Sequence, residues 1–256
     1  MIITGHQPNY LPYLGFFHKI TMCDVFVIVD TVQYVKRGPF GWINRNKIRT
    51  PEGWIWLTVP VLSKGKYTQN IIDTMIDNAK PWEHKHWRSI NLSYQKAPYF
   101  NLYKDFFQKL YETKWEKLAD LNEAAIKYII SALGIKVEIT KTSLIEAEGH
   151  ASGQATGRSA GRLDRSAVAD NGTDLIIDMC KKLGADTYVH GKHGKDYIDP
   201  SKFADNNIKC IYQEFNHPVY HQVYEPFIPE MSIIDLLFNH GPESLSVLIG
   251  SQPKPT

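Results

Sequence analysis

The run Asp24-Val25-Phe26-Val27-Ile28-Val29-Asp30 decides the fold. Its unbroken β-branched and aromatic residues lack the alternation of a strand with one wet face. They are typical of a strand that is covered on both faces, as in a parallel sheet. Working outward, Ile2 to Thr4 is a second short apolar run, and the segment between the two has helical spacing of Leu11, Leu14, Phe17 and Ile20. Strand, helix and strand together predict a βαβ unit, and hence an α/β fold with a mostly parallel sheet and flanking helices.

The remainder of the chain continues this pattern. A helical insertion is predicted at about 81–134. A further helix is predicted from Asp174 to Leu183, with Thr173 as its N-cap. The segment from Gly149 to Gly172 has no clear period and is predicted to be a mobile loop. Further strands are predicted at Ile55 to Val61, Val137 to Thr140, Thr187 to Val189 and Ile208 to Phe215. We therefore expect a single α/β domain over residues 1–250, followed by a flexible tail at 251–256.

Composition excludes several classes of protein. The chain has 256 residues with 29 Lys and Arg against 27 Asp and Glu, so its net charge of +2 makes extended nucleic acid a poor partner. Its three cysteines form no CxxC pair, which argues against a disulfide framework or a zinc ribbon and suits a reducing cytoplasm. No apolar run approaches the length of a membrane span, and the first residues do not resemble a signal peptide. A soluble cytoplasmic protein is expected, and a homo-oligomer is compatible with the sequence.

Polar side chains follow the first two strands at the point where each ends. His6 comes directly after the first strand and Asp30 after the second, and open α/β sheets bind ligands beyond such carboxyl ends. In the run His6-Gln7-Pro8-Asn9-Tyr10, imidazole and amide donors precede a helix and would stabilise charge on a phosphoryl group. This run is similar to the HxxH or HxxN element of nucleotidylyltransferases and pantothenate synthetases, although Pro8 stands where a glycine is usual. The alternative is a structural role, in which His6 hydrogen-bonds a buried loop.

A broader resemblance follows from blocks along nearly the whole chain. These are His6 to Pro12, Asp30 to Tyr34, Asn44 to Ile48, Leu57 to Val61, Gly172 to Leu175, Leu183 to Tyr188, Lys195 to Asp199, His217 to Tyr220 and Ser232 to Asn239. In order and spacing they are similar to the WbqC-like protein family. The resemblance implies a place among bacterial surface-polysaccharide, O-antigen and nucleotide-sugar pathways. The chain departs from the family pattern at Val189 to Gly194 and in the segment from Gly149 to Gly172, which puts the choice of substrate in doubt.

Residues of these blocks suit a phosphate-bearing ligand. Asn44 and Arg45 offer forked donors, Gln33 suits a sugar hydroxyl or a base edge, and Lys192 and Lys195 flank glycines that let backbone amides approach an anion. Lys36 and Arg37 are better explained as a solvated basic loop. The predicted catalytic residues are His6 and His217, and the predicted binding residues are Gln7, Asn9, Tyr10, Asp30, Gln33, Asn44, Arg45, Lys192, Lys195 and Tyr220.

The aromatic residues are expected to divide between a core and one pocket. Tyr10, Tyr13, Trp42 and Tyr220 stand beside polar blocks and could stack on a sugar or base. Phe26, Phe106 and Phe238 are expected in the core. Asp196 and Asp199 could hold Mg²⁺, but two acids beside a turn more often brace it, so no metal site is named.

Three functions are compatible with these features. The leading hypothesis is a transferase acting on a nucleotide-linked amino sugar in polysaccharide biosynthesis. The second is ATP-dependent nucleotidyl or acyl-adenylate transfer with Mg²⁺, and the third is a non-catalytic sugar-nucleotide binding or scaffold protein. No predicted strand leads directly into a GxSxG or a GxGxxG run, which argues against acyl-enzyme and Rossmann dehydrogenase chemistry.

Overall fold

A computed structural model describes residues 1–35, 41–66, 68–151, 165–196 and 198–250. Lys36, Arg37 and the predicted tail at 251–256 lie outside the described residues. The chain divides into two compact units. Of the described residues, the sheet unit contains Met1–His6, Lys19–Val29 and those within Val137–Phe215, and the helical unit contains Gln7–His18, those within Asp30–Lys136, and residues 216–250.

The secondary structure alternates as an α/β protein requires. The strands are β1 (Ile2–His6), β2 (Val25–Ile28), β3 (Arg45–Thr50), β4 (Gly53–Thr58), β5 (Glu138–Lys141), β6 (Thr187–His190) and β7 (Lys209–Tyr212). The helices are α1 (Leu14–Ile20), α2 (Trp82–Tyr94), α3 (Phe100–Glu112), α4 (Leu118–Ala132), α5 (Thr142–Ala151), α6 (Arg165–Leu183), α7 (Pro200–Asp205), α8 (Ile233–His240) and α9 (Ser244–Ile249). Short 3-10 helices lie at Ile71–Asp73, Lys192–Asp196 and Gly241–Glu243.

The sheet unit is built on a five-stranded parallel sheet in the order β5-β2-β1-β6-β7. All four residues of β2 are buried, as the run that decides the fold predicts. The α/β fold with a mostly parallel sheet and flanking helices is therefore confirmed. Counted along the chain, the sheet strands lie in the order third, second, first, fourth and fifth, which is the doubly wound arrangement. The order reverses between β1 and β6, and this switch point is where such sheets place ligands.

The helical unit contains a hairpin formed by β3 and β4. It also contains α2, α3 and α4, and these three helices occupy the stretch at about 81–134 where a helical insertion is expected. Its aromatic core surrounds Phe238, whose ring lies 5.1 Å from that of Tyr94, 5.2 Å from Phe100 and 5.4 Å from Phe107. Phe106 is only half-buried and stacks on Tyr128, so its expected place in the core is wrong.

Three boundary predictions also need correction. The basic residues of the stretch that contains β3 predicted a loop, and this prediction is wrong. The stretch forms a strand, in which Asn46 and Ile48 are buried while Arg45 and Lys47 lie on the opposite face. The strand expected at Ile208 to Phe215 is limited to β7. The mobile loop prediction is wrong for residues 149–151 and 165–172, which are helical, because α5 ends at Ala151 and α6 begins at Arg165. In the described part of the chain no helix is both long and apolar enough to cross a membrane.

Candidate functional site at the sheet switch point

The sheet opens at its switch point, between β1 and β6. These strands pair only at Ile2 with Thr187 and at Ile3 with Tyr188. By contrast, β1 pairs with β2 up to His6, and β6 pairs with β7 up to His190. The two central strands therefore part before their carboxyl ends.

Side chains satisfy the main-chain groups that this parting leaves. In an unbroken parallel ladder the Gly5 N–H would donate to the Val189 carbonyl. Here the Gly5 N–H donates to the Tyr188 hydroxyl at 3.0 Å, and the Val189 carbonyl accepts from Thr4 Oγ1 at 2.7 Å. The Gly5 carbonyl accepts from Lys19 Nζ at 2.9 Å. The opening is stabilised because buried backbone groups keep hydrogen-bond partners.

Gly5 provides the space in which the Tyr188 hydroxyl sits. A Cβ atom at this position would lie 3.1 Å from that hydroxyl, 3.0 Å from Val29 Cγ2 and 3.2 Å from Met179 Cε. All three distances are shorter than ordinary van der Waals contact. Any larger residue would have to displace Tyr188 or its neighbours.

Two buried basic side chains lie at the opening. Burial lowers the pKa of Lys19 to about 8. Burial also lowers the pKa of His190 to about 4, and the charge of Lys19 acts in the same direction. His190 is therefore neutral at pH 7, and its Nε2 is buried without a hydrogen-bond partner among the described residues. The sequence predicts neither residue as part of a site: Lys19 belongs to no motif, and His190 stands out only within the departure from the family pattern at Val189 to Gly194.

Aromatic rings hold the His190 side chain in place. It stacks on Tyr212 with centroids 5.2 Å apart, and its edge contact with Phe203 is at 5.1 Å. A Cβ at Gly194 would lie 2.7 Å from His190 Cβ, so this glycine lets the 3-10 helix at Lys192–Asp196 pack against the histidine. Lys195 Nζ lies 5.1 Å from the Tyr212 ring centroid.

Three predicted site residues belong to this edge of the sheet unit. His6 ends β1, is half-buried, and its carbonyl accepts from the Val29 N–H at 2.9 Å. Lys192 and Lys195 are exposed in the segment that follows β6. Neighbouring strands thus present an imidazole and two ammonium groups at their carboxyl ends, a set of donors suited to an anion.

The predicted residues that follow His6 belong to the helical unit. Half-buried Gln7 and buried Asn9 lie in a segment held by Asn122 Nδ2, which donates to the carbonyls of Pro8 at 2.8 Å and Ile43 at 2.7 Å. Leu11 adopts a φ of 42°, and its carbonyl accepts from Asn46 Nδ2. A leucine in the left-handed region is uncommon and persists only where its surroundings enforce it. These amide side chains provide that enforcement.

Tyr10 is fully buried in the helical unit. Its hydroxyl lies 2.9 Å from His86 Nδ1 and forms a hydrogen bond with the Tyr111 hydroxyl. Burial lowers the pKa of His86 to about 4 and raises the pKa of Tyr10 well above its usual range. This is the position of a core residue, and ligand contact by Tyr10 stays a prediction.

The other predicted binding residues of the helical unit differ in exposure. Asn44 is buried and its Nδ2 donates to the Val59 carbonyl at 2.8 Å, so it fixes backbone. Asp30 is also buried, and its backbone carbonyl accepts a hydrogen bond from the Ile72 N–H. Gln33 is exposed, while Arg45 is half-buried and donates through Nε to the Gly41 carbonyl at 3.1 Å. Gln33 and Arg45 are thus the more accessible members of this group.

His217 uses both ring nitrogens to hold its own segment. Nδ1 lies 2.8 Å from the Pro218 carbonyl, and Nε2 accepts from the Glu230 N–H at 3.1 Å. This arrangement requires the neutral tautomer with a proton on Nδ1. Burial also lowers the pKa of His217. Because the Nε2 lone pair already accepts a hydrogen bond, the geometry favours a structural role over a general base.

Tyr220 belongs to a buried network around Asp235. The carboxylate Oδ2 of Asp235 accepts from the Tyr220 hydroxyl and from Gln222 Nε2, both at 2.8 Å. Gln222 also donates through Nε2 to the Ile228 carbonyl and accepts through Oε1 from the Ile228 N–H. Burial raises the pKa of Asp235 to about 6. The sequence signal for this network was a carboxylate within the apolar run of α8.

No cluster of three or more His, Cys, Asp or Glu side chains that could hold a metal occurs within the described ranges. Asp199 caps α7, because its Oδ1 accepts from the Ser201 N–H at 3.0 Å and from the Ser201 hydroxyl at 2.6 Å. Its bracing role agrees with the preferred interpretation of this turn.

Comparison with known proteins is consistent with the blocks found in the sequence. The profile of the WbqC-like protein family matches residues 7–247. The chain is 32% identical over 240 residues to the uncharacterized protein Rv1507c of Mycobacterium tuberculosis, and the match covers 93% of each chain. No solved structure gives a significant match. The chain belongs to the WbqC-like protein family.

Proposed function

We propose that the protein is a transferase that binds a nucleotide-linked sugar, with an amino sugar as the leading candidate, at the carboxyl ends of β1 and β6. The observation that carries this proposal is the parting of these two strands at the switch point, where Thr4, Lys19 and Tyr188 satisfy the backbone. Doubly wound sheets bind nucleotides at this position. Membership of the WbqC-like family supports a place in surface-polysaccharide biosynthesis, including that of O-antigen.

The side chains at this edge suit a diphosphate. Lys192 and Lys195 are exposed cations next to glycines, so they can approach phosphate oxygens together with backbone amides. Lys19 adds a fixed positive field behind the opening. His6 is the candidate catalytic donor or base, because an imidazole exchanges protons near neutral pH.

Calorimetry on the full chain tests the binding step. We expect UDP-, GDP- or dTDP-linked amino sugars to bind with a dissociation constant below about 1 mM. Lys195→Ala should weaken binding about tenfold, since one charge-assisted phosphate contact is lost. The matched control is Lys209→Ala, because Lys209 is an exposed lysine at the amino end of β7 and should leave affinity unchanged. Failure of every nucleotide sugar and nucleoside diphosphate to bind would contradict the proposal.

Turnover separates the alternatives that share this edge. If a nucleotide sugar is the donor, His6→Ala should reduce transfer far more than ground-state affinity. ATP-dependent nucleotidyl or acyl-adenylate transfer is the second candidate, motivated by His6 and by the Lys195 segment at this edge, and it requires that Mg-ATP binds and that pyrophosphate is released. Stable nucleotide-sugar binding with no product for any acceptor would instead support a carrier or scaffold.

A further inference from the structure

The β3–β4 hairpin presents an aromatic and cationic face. Cross-strand pairs place Arg45 opposite Thr58 and Lys47 opposite Trp56, so these side chains share one side of the hairpin. The other side carries Ile48 and Leu57, which are buried. We call the outer set the hairpin face and define it as Trp42, Arg45, Lys47, Trp54 and Trp56.

Two indoles of the hairpin face are exposed to an unusual degree. Trp54 is 44% exposed and Trp56 is 36% exposed. Their ring centroids lie 5.8 Å apart, so the exposed apolar surface is contiguous. Scattered apolar residues on a surface need no explanation, but adjacent exposed tryptophans mark a binding surface.

Cations lie against these rings. The Arg45 guanidinium is 4.6 Å from the Trp56 centroid, and Lys47 Nζ is 5.3 Å from that of Trp54. Lys47 also forms an ion pair with Glu230 at 3.4 Å. Two cations against one carboxylate leave an excess positive charge, so the face is complementary to an anion. The contact with an indole also orients each cation without neutralising it.

The ring geometry limits the shape of the ligand. Trp54 and Trp56 are nearly perpendicular at 87°, and Trp42 is tilted by 48° from Trp56. Successive bases of a single strand need a row of stacking platforms along a cationic track. Here the indole rings stand at an angle to one another, so they suit a ligand with a single compact ring and not a row of stacked bases. The hairpin tip carries exposed Pro51 and Glu52, and an acid at the tip opposes contact with an anionic membrane.

We infer that the hairpin face binds an anionic saccharide, that is, a sugar ring carrying a carboxylate or phosphate group. The apolar C–H face of the sugar would pack on one of the two indoles, Trp54 or Trp56, and its edge would contact the other, while its acid would pair with Arg45 and Lys47. This site lies in the helical unit and goes beyond nucleotide-sugar binding by the sheet unit.

Titration of the full chain with simple sugars tests the site. Glucuronic acid and glucose 1-phosphate are the anionic probes, and glucose is the neutral control. We expect tryptophan fluorescence and calorimetry to show binding of both anionic probes at least tenfold tighter than that of glucose. Trp56→Ala and Arg45→Gln should each weaken binding about tenfold or more. Leu92→Ala is the matched control, because Leu92 is 55% exposed on α2, outside the hairpin.

Several outcomes would overturn the inference. One is that the protein binds glucose and glucuronic acid with equal affinity. Another is that Trp56→Ala and Arg45→Gln leave the affinity for the anionic probes unchanged. Preference for an oligothymidine or for phosphatidylglycerol vesicles over the sugars would also overturn it, as would a dimer that Trp56→Ala dissociates. If Trp56→Ala does not fold, Arg45→Gln and Lys47→Gln carry the test. Free sugars lack a nucleotide, so failure of nucleotide-sugar binding would leave this result interpretable.

Discussion

Gly5 is the residue on which the opening of the sheet depends. A methyl group there would meet Tyr188, Val29 and Met179 at 3.0 to 3.2 Å. We expect Gly5→Ala to displace the Tyr188 hydroxyl and to lower the free energy of unfolding by about 1–3 kcal/mol. Urea denaturation measures this change.

Gly172 supplies the control for this substitution. It lies inside α6, and a Cβ there would meet nothing within 4 Å. Gly172→Ala should therefore stabilise the protein by up to about 1 kcal/mol. Equal effects of the two substitutions would show that the Tyr188 contact is unimportant.

Asp235 gives stability a distinct pH dependence. Its pKa is raised from 3.8 to about 6, so the native state binds a proton that the unfolded chain has already released between these values. The free energy of unfolding should therefore fall as pH rises from about 4 to about 6, by on the order of 3 kcal/mol from this group. Asp235→Asn removes the titrating group and this slope.

The measurement is urea denaturation of both proteins at pH 4.5 and pH 7. Buried His86, with a pKa lowered to about 4, acts in the opposite direction, because its contribution is lost as pH falls from 6.5 towards 4. Comparison of Asp235→Asn with the parent chain cancels the His86 contribution. A pH dependence identical in both proteins would contradict the assignment to Asp235.

At the scale of the element, the turn before α7 discriminates a helix cap from a metal site. Asp199 accepts the N-cap hydrogen bond from the Ser201 N–H, so Asp199→Ala should lower the free energy of unfolding. Asparagine caps helices equally well, so Asp199→Asn should lower the free energy of unfolding less than Asp199→Ala does. Thermal unfolding with and without Mg²⁺ measures both effects. A Mg²⁺-dependent rise in melting temperature that Asp199→Asn abolishes would contradict the cap assignment.

Strands were predictable where their own residues determine burial. β2 is buried on both faces, and its unbroken apolar run signals this directly. β3 was missed because buried Asn46 occupies a position where an apolar residue is expected. Its amide donates to the Leu11 carbonyl, 35 residues away in sequence, and no local pattern reveals such a partner.

At the scale of the whole molecule, the sequence predicted the α/β class but not the strand order. The position of the switch point depends on the pairing of β1 with β6, and the bond from Thr4 to Val189 spans 185 residues. For the same reason His6 and Lys195 could be proposed as ligand residues, while Lys19 could not. Its role follows from its contact with the Gly5 carbonyl. The described chain divides into two compact units. The expectation of a single α/β domain over residues 1–250 stays a prediction.

The most direct test of the central claim is a crystal structure of the protein soaked with a nucleotide-linked amino sugar. We predict density for the diphosphate at the carboxyl ends of β1 and β6, within hydrogen-bond distance of Lys195 or the backbone amides around Gly191. Density for the ligand at any other place, with this edge left empty at saturating concentration, would contradict the account.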